Sequence, residues 1–221
     1  MVSGRLRGLA TRRFVLRFGL LNLGMAIFAL AMVLSLQSNL GASSWTVLHD
    51  GITRQTPLTL GTAGVVVGLL ILVVSWLLGI PPGFGTIMNM LMIGVWTDVL
   101  LGFELIPEAH GYAAGIAALV ASAVLLGLGS AMYIKAEFGA GPRDAFMLAI
   151  TRRTDIRVGF IRWGMELTVV LIGILLGGAF GLGTILFAIM IGPSVDFFFT
   201  LFKIPTRRAR RQALAVEAAA D

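Results

Sequence analysis

The chain contains no cysteine. That excludes disulfides, thiolate metal centres and thiol catalysis. Charge is scarce as well: 13% of the 221 residues are Asp, Glu, Lys or Arg, where soluble domains carry about a quarter. The two histidines, His49 and His110, fall between apolar runs and are expected in surface loops. Asp50 beside His49 does not complete a metal site. No H-E-x-x-H or G-x-S-x-G constellation exists, so the chain lacks the residues for a metallohydrolase or a serine hydrolase. A non-enzyme without cofactor or metal is the expectation. What remains is hydrocarbon: 57% of residues are hydrophobic and the mean hydropathy is +0.94.

The apolar residues gather in six runs, at Phe18–Ser38, Thr59–Leu78, Gly85–Phe103, Gly111–Ile134, Val158–Leu176 and Gly183–Phe202. Each approaches the ~20 residues a helix needs to cross ~30 Å of bilayer hydrocarbon. The first run follows an arginine-rich arm, as in a signal peptide, but it is too long for an h-region and has a counterpart in the fourth run. It is expected to be retained.

The net charge of +6 is carried almost wholly by arginine. Arg5, Arg7, Arg12, Arg13 and Arg17 precede the first run. Arg143, Arg152, Arg153 and Arg157 lie between the fourth and fifth, and Lys203, Arg207, Arg208, Arg210 and Arg211 follow the sixth. The Glu104–His110 loop has neither lysine nor arginine. Positive residues stay on the cytoplasmic side. The pattern places both termini in the cytoplasm of a bacterial plasma membrane. Nucleic acid is not needed to explain the basic balance.

The chain also contains itself twice. Gly41–Asp98 lies over Gly139–Asp196 at an offset of 98 residues, without a gap and with about a third of positions identical. Three spans per repeat is an odd number, so the second copy enters the membrane upside down. Many secondary transporters share that inverted arrangement. The expected fold is therefore an all-α membrane protein of two inverted three-helix repeats, residues 18–103 and 111–202. A basic arm (1–17) precedes them, and a basic then alanine-rich tail (203–221) follows. Short helices are expected after spans one and four, as interfacial amphipathic segments with a tryptophan anchor or as re-entrant half-helices.

Polar residues inside the spans are the candidate pathway. Asp98 and its twin Asp196 each fall twelve residues beyond a matched threonine, ~18 Å into the hydrocarbon from opposite faces. Glu166 lies ~12 Å deep, with Arg162 one helical turn before it as the obvious partner. Asn89 adds an uncharged polar group, read foremost as a helix-packing contact. Trp45, Asp50, Arg143 and Asp144, in the two short helices, are candidate gate or mouth residues. Intramembrane charges are costly and usually pair or line a cavity. The glycine hairpins Leu78–Thr86 and Leu176–Thr184 lack a following lysine, so they are expected as tight turns and not as phosphate loops.

The segments LGASSWTVLHDGI, GFGTIMN, FGAGPRDAFMLAITRRT and GLGTILFAIMIGP resemble the YczE/YitT-like bacterial integral membrane proteins. The resemblance runs from about Phe18 to Phe202, with G-A-G-P-R-D-x-x-M-L its most specific signature. It implies a six-span or similar plasma-membrane protein and brings no catalytic or substrate assignment. Related sequences are expected to carry aspartate where this chain has Thr46, leaving only Asp144 of an acidic pair. The expected function is a small transporter or permeation protein. Its partners are the bilayer and a small solute or ion, and homo-oligomerisation is left open. The alternative is an accessory protein that assists a partner enzyme or a secretion step.

Overall fold

A computed structural model describes residues 2–79, 83–138, 141–143, 145–146, 150, 154 and 158–204. The side chains of residues 2–12, 158–160, 162–163 and 196 lie outside that description. Seven helices occur among the described residues: α1 (Val2–Gln37), α2 (Ser44–Gln55), α3 (Leu60–Leu77), α4 (Phe84–Gly102), α5 (Tyr112–Lys135), α6 (Val158–Leu175) and α7 (Leu182–Leu201). No strand is present among the described residues. Among the described residues five helices are long and apolar enough to cross a membrane: α1 from Arg13 onward, α3, α4, α5 and α7. The expected fifth span coincides with α6, 18 residues long, whose stretch Gly164–Leu175 is apolar.

α1 and α5 form the central pair. Glycine lets them touch backbone to backbone: a Cβ on Gly129 would stand 2.7 Å from the Gly24 carbonyl oxygen, and one on Gly24 2.8 Å from the Tyr133 nitrogen. Small residues at a crossing are how apolar helices pack closely in lipid. Ser122 Oγ donates to the Ala31 carbonyl at 2.6 Å, binding the same pair. α4 leans on α1 and on α3, and α7 leans on α5. Outward faces carry large apolar side chains, among them Leu70, Trp76, Val95, Leu171, Ile189 and Phe197. Such a surface suits lipid and not water.

Equivalent positions of the repeat make equivalent contacts. The Gly85 N–H donates to the Phe138 carbonyl at 2.8 Å, and the Gly183 N–H donates to the Leu40 carbonyl at 2.7 Å. Both donors and both acceptors stand 98 residues apart. Thr86 Oγ1 and Thr184 Oγ1 each accept from the backbone at the helix start, at 3.3 Å. Gly79 and Gly177 end their helices with φ of 80° and 81°. That left-handed region favours glycine because it has no Cβ. The Leu176–Thr184 segment is thus a turn before α7, as expected, while residues 80–82 of its counterpart lie outside the described residues. Gly85 and Gly183 also carry the bonds that cross between the two halves.

α2 is not an interfacial helix. Ser44 to Gly51 are all buried, without an exposed face, and α2 packs against α6 and α3. Burial on every side marks an interior helix, where an interfacial one would leave its polar side in water. Glycine again permits the fit. A Cβ on Gly51 would lie 2.8 Å from the Gly173 carbonyl oxygen, and one on Gly173 2.7 Å from the Leu48 nitrogen.

Candidate functional site

The two repeated motifs meet at the centre of the protein. Each begins a helical turn in the same way: Val47 N–H donates to the Ser43 carbonyl at 2.8 Å, and Ala145 N–H to the Gly141 carbonyl at 2.9 Å. The tripeptides Ser43–Trp45 and Gly141–Arg143, again 98 residues apart, both line a central cavity of about 110 Å³. That space holds several waters or part of a small solute. All seven helices contribute to its wall. Many wall residues come as equivalent pairs, including Phe28 with Leu126, Met32 with Ser130, Val67 with Met165, and Ile93 with Ile191.

Chemistry breaks this symmetry. Trp45 in one half corresponds to Arg143 in the other, Gly68 to Glu166, and Asn89 to Phe187, and all six line the cavity. The Arg143 guanidinium carbon sits 4.2 Å from the Trp45 ring centroid and 6.0 Å from that of Phe28. A cation over an aromatic face is attracted by the ring quadrupole, more so when desolvated. The Trp45 indole N–H donates to Glu166 Oε1 at 3.1 Å. One indole therefore orients a cation on its face and a carboxylate at its edge.

His49 corrects the sequence reading. It is not a loop residue on the surface but is 2% exposed on α2, lining the cavity. Neither ring nitrogen has a hydrogen-bond partner among the described residues. Burial, and then the Arg143 charge, push its pKa down to about 3, so the imidazole is neutral. Helical spacing contained the signal: His49 falls four residues after Trp45, on the same face. Asn89, expected foremost as a packing contact, is 7% exposed with an unpartnered Nδ2. A Cβ on Gly141 would lie 3.1 Å from its Oδ1, so the amide fits against a backbone that only glycine supplies.

The other candidates separate from this site. Asp98 does not line the cavity. Its Oδ2 accepts from Thr59 Oγ1 at 2.6 Å and its Oδ1 from the Gly61 N–H at 2.8 Å. It closes the start of α3, where a carboxylate meets free N–H groups and the positive helix end. Asp50 bonds Arg54 Nε at 2.9 Å and the Ala179 N–H at 2.8 Å, which fastens α2 to the turn before α7. Asp144 and the side chains of Arg162 and Asp196 lie outside the described residues. No cluster of three or more potential metal ligands occurs among the described residues.

Residues 15–200 match a family described as "Family of unknown function (DUF6198)". The chain belongs to this family. This DUF6198 protein is 35% identical over 188 residues to the uncharacterized membrane protein YczE of Bacillus subtilis, covering 84% of this chain and 86% of that one. It is 34% identical over 180 residues to an uncharacterized protein of Haemophilus influenzae, covering 79% and 82% respectively. It is also 26% identical over 173 residues to the uncharacterized protein YyaS of Bacillus subtilis, covering 74% and 83%. The first of these relatives is the one that carries the resemblance expected from the sequence. No solved structure matches the chain. Membrane-length helices with apolar outer faces make this DUF6198 member a polytopic membrane protein.

Proposed function

We propose that this protein is a small transporter or permeation protein of the bacterial plasma membrane. It is built as two inverted three-span repeats with both termini in the cytoplasm. The observation that carries the reading is the cavity wall, assembled from equivalent positions of both repeats and holding polar groups in an otherwise apolar bundle. Inverted-repeat transporters bind solute at the repeat interface, beside the starts of discontinuous helices. The helical turns that begin at Ser44 and Pro142 both border the cavity, which supports this reading.

The test uses the chain's lack of cysteine. Ser130→Cys places one thiol on the cavity wall. A small membrane-impermeant thiol reagent is applied to right-side-out and to inside-out vesicles. Transport by alternating access requires labelling from both sides. Labelling from one side only, or from neither, overturns it.

A further inference from the structure

α2 reaches from the centre of the protein to its surface. Ser44, Trp45 and His49 line the cavity, while Arg54 and Gln55 at the far end of the helix are exposed. Its 12 residues cover about 18 Å. Along that path it lies against the turn between α6 and α7, where a Cβ on Gly51 would stand 2.8 Å from Leu176 Cβ. No residue from Leu176 to Gly181 lines the cavity.

The turn is clamped at a single residue, Ala179. Its N–H donates to Asp50 Oδ2 at 2.8 Å, and its carbonyl accepts from the Ala42 N–H at 2.8 Å. Asp50 Oδ2 also accepts from Arg54 Nε at 2.9 Å, one helical turn along α2. Gln55 Nε2 adds a bond to the Leu176 carbonyl at 3.2 Å. The carboxylate is thus the one charged group that ties α2 to the turn among the described residues, and bonds of that kind are stronger than neutral ones.

The second copy of the repeat cannot build this clamp. Leu148 stands at the position equivalent to Asp50, and Pro81 at the position equivalent to Ala179. Both lie outside the described residues, and covalent chemistry alone decides the matter. A leucine side chain has no acceptor, and a proline nitrogen carries no hydrogen. Arg152, equivalent to Arg54, accordingly has no carboxylate four residues before it. The carboxylate clamp belongs to one copy only.

Resting on the transport reading above, we infer that the Asp50–Ala179 bond is the latch of the outer gate, with α2 and the α6–α7 turn as the parts that separate. Opening at the outer end then breaks a charge-assisted bond that has no counterpart at the inner end. The two ends are unequal, and the protein rests closed to the outside. Such a latch shifts the balance between two states and makes no contact with the solute.

The test measures how fast the Ser130→Cys thiol of the full chain is labelled in right-side-out and in inside-out vesicles. The reagent is the small membrane-impermeant one used above. With Asp50 in place, labelling from the outside should be the slower. Asp50→Leu, which installs the residue of the other copy, should raise the outside rate about tenfold, the scale of a lost hydrogen bond to a charged group. It should also lower the inside rate. Asp50→Asn keeps an oxygen acceptor without the charge and should fall between. Should Asp50→Leu elute as aggregate, Asp50→Asn decides. An outside rate that neither variant raises overturns the latch. If the thiol is labelled from both sides and neither variant alters the rates, the latch fails and the transport reading stands. Labelling from the inside only, unchanged by Asp50→Leu, defeats both.

Discussion

Trp45 and Arg143 occupy the same position in the two copies of the repeat, and they stack on each other, guanidinium carbon to ring centroid at 4.2 Å. The point where the halves meet is thus also where they have diverged most in chemistry. An aromatic donor in one copy and a cation in the other make the repeated scaffold chemically asymmetric.

The Trp45–Glu166 bond at 3.1 Å joins a buried indole to a half-buried carboxylate. Trp45→Phe keeps most of the ring and removes the donor. A loss of about 1–2 kcal/mol in unfolding free energy is expected, in the range for a hydrogen bond to a charged group. A double-mutant cycle with Glu166→Gln measures the coupling directly, and a value near zero would show that the bond does not form.

His49 makes stability depend on pH. Its folded-state pKa, about 3, lies below the ordinary value of 6.5. Between those values the unfolded chain binds the extra proton, so stability is complete above about pH 6.5 and declines as pH falls toward 3. Melting temperature recorded across that window should drop on the acid side. His49→Gln should flatten that part of the profile, and a variant with the same acid slope would remove His49 as its cause.

Asp98 is expected to act on α3 and not on the solute. Asp98→Asn exchanges a carboxylate at a helix start for a neutral amide, which should cost about 0.5–1 kcal/mol and lower Tm by a few degrees. Labelling of the Ser130→Cys thiol from either side of the membrane should be unchanged. Loss of that labelling from one side would return Asp98 to the pathway.

The α1–α5 crossing leaves no room for a side chain at Gly129, whose Cβ would stand 2.7 Å from one backbone oxygen and 2.9 Å from the Phe28 nitrogen. Gly129→Val should therefore destabilise by about 1–3 kcal/mol or prevent folding, as overpacking does. Gly192→Ala, at a position with open space around it, should be tolerated. Equal melting temperatures for the two variants would refute the close crossing.

Much of this was legible in the sequence for a physical reason. Lipid imposes length and hydropathy on a spanning helix, so α3, α4 and α7 start and stop within one or two residues of the apolar runs. The repeat was readable because glycines such as Gly85 and Gly183 are fixed by contacts that admit no Cβ. Trp45, Arg143, Glu166 and Asn89 were singled out as polar or aromatic residues in apolar surroundings, and the cavity gathers them. The depth of Asp98 along its helix could be counted, but its direction could not. A rise of 1.5 Å per residue says how far along a side chain lies and nothing about which neighbour it faces. His49 was missed because helix α2 is short and only moderately apolar, so its burial comes from α3 and α6 closing around it.

The bonds from Gly85 to Phe138 and from Gly183 to Leu40 set an order of assembly. When the ribosome has delivered α4, the acceptor for its first turn does not yet exist, because residue 138 is still to be made. The amino-terminal half must wait in the bilayer with that N–H unanswered, and it is completed only after α5 has threaded back across. Neither copy can therefore mature as an independent unit, and a chain cut between α4 and α5 should assemble only when both fragments are made in the same cell.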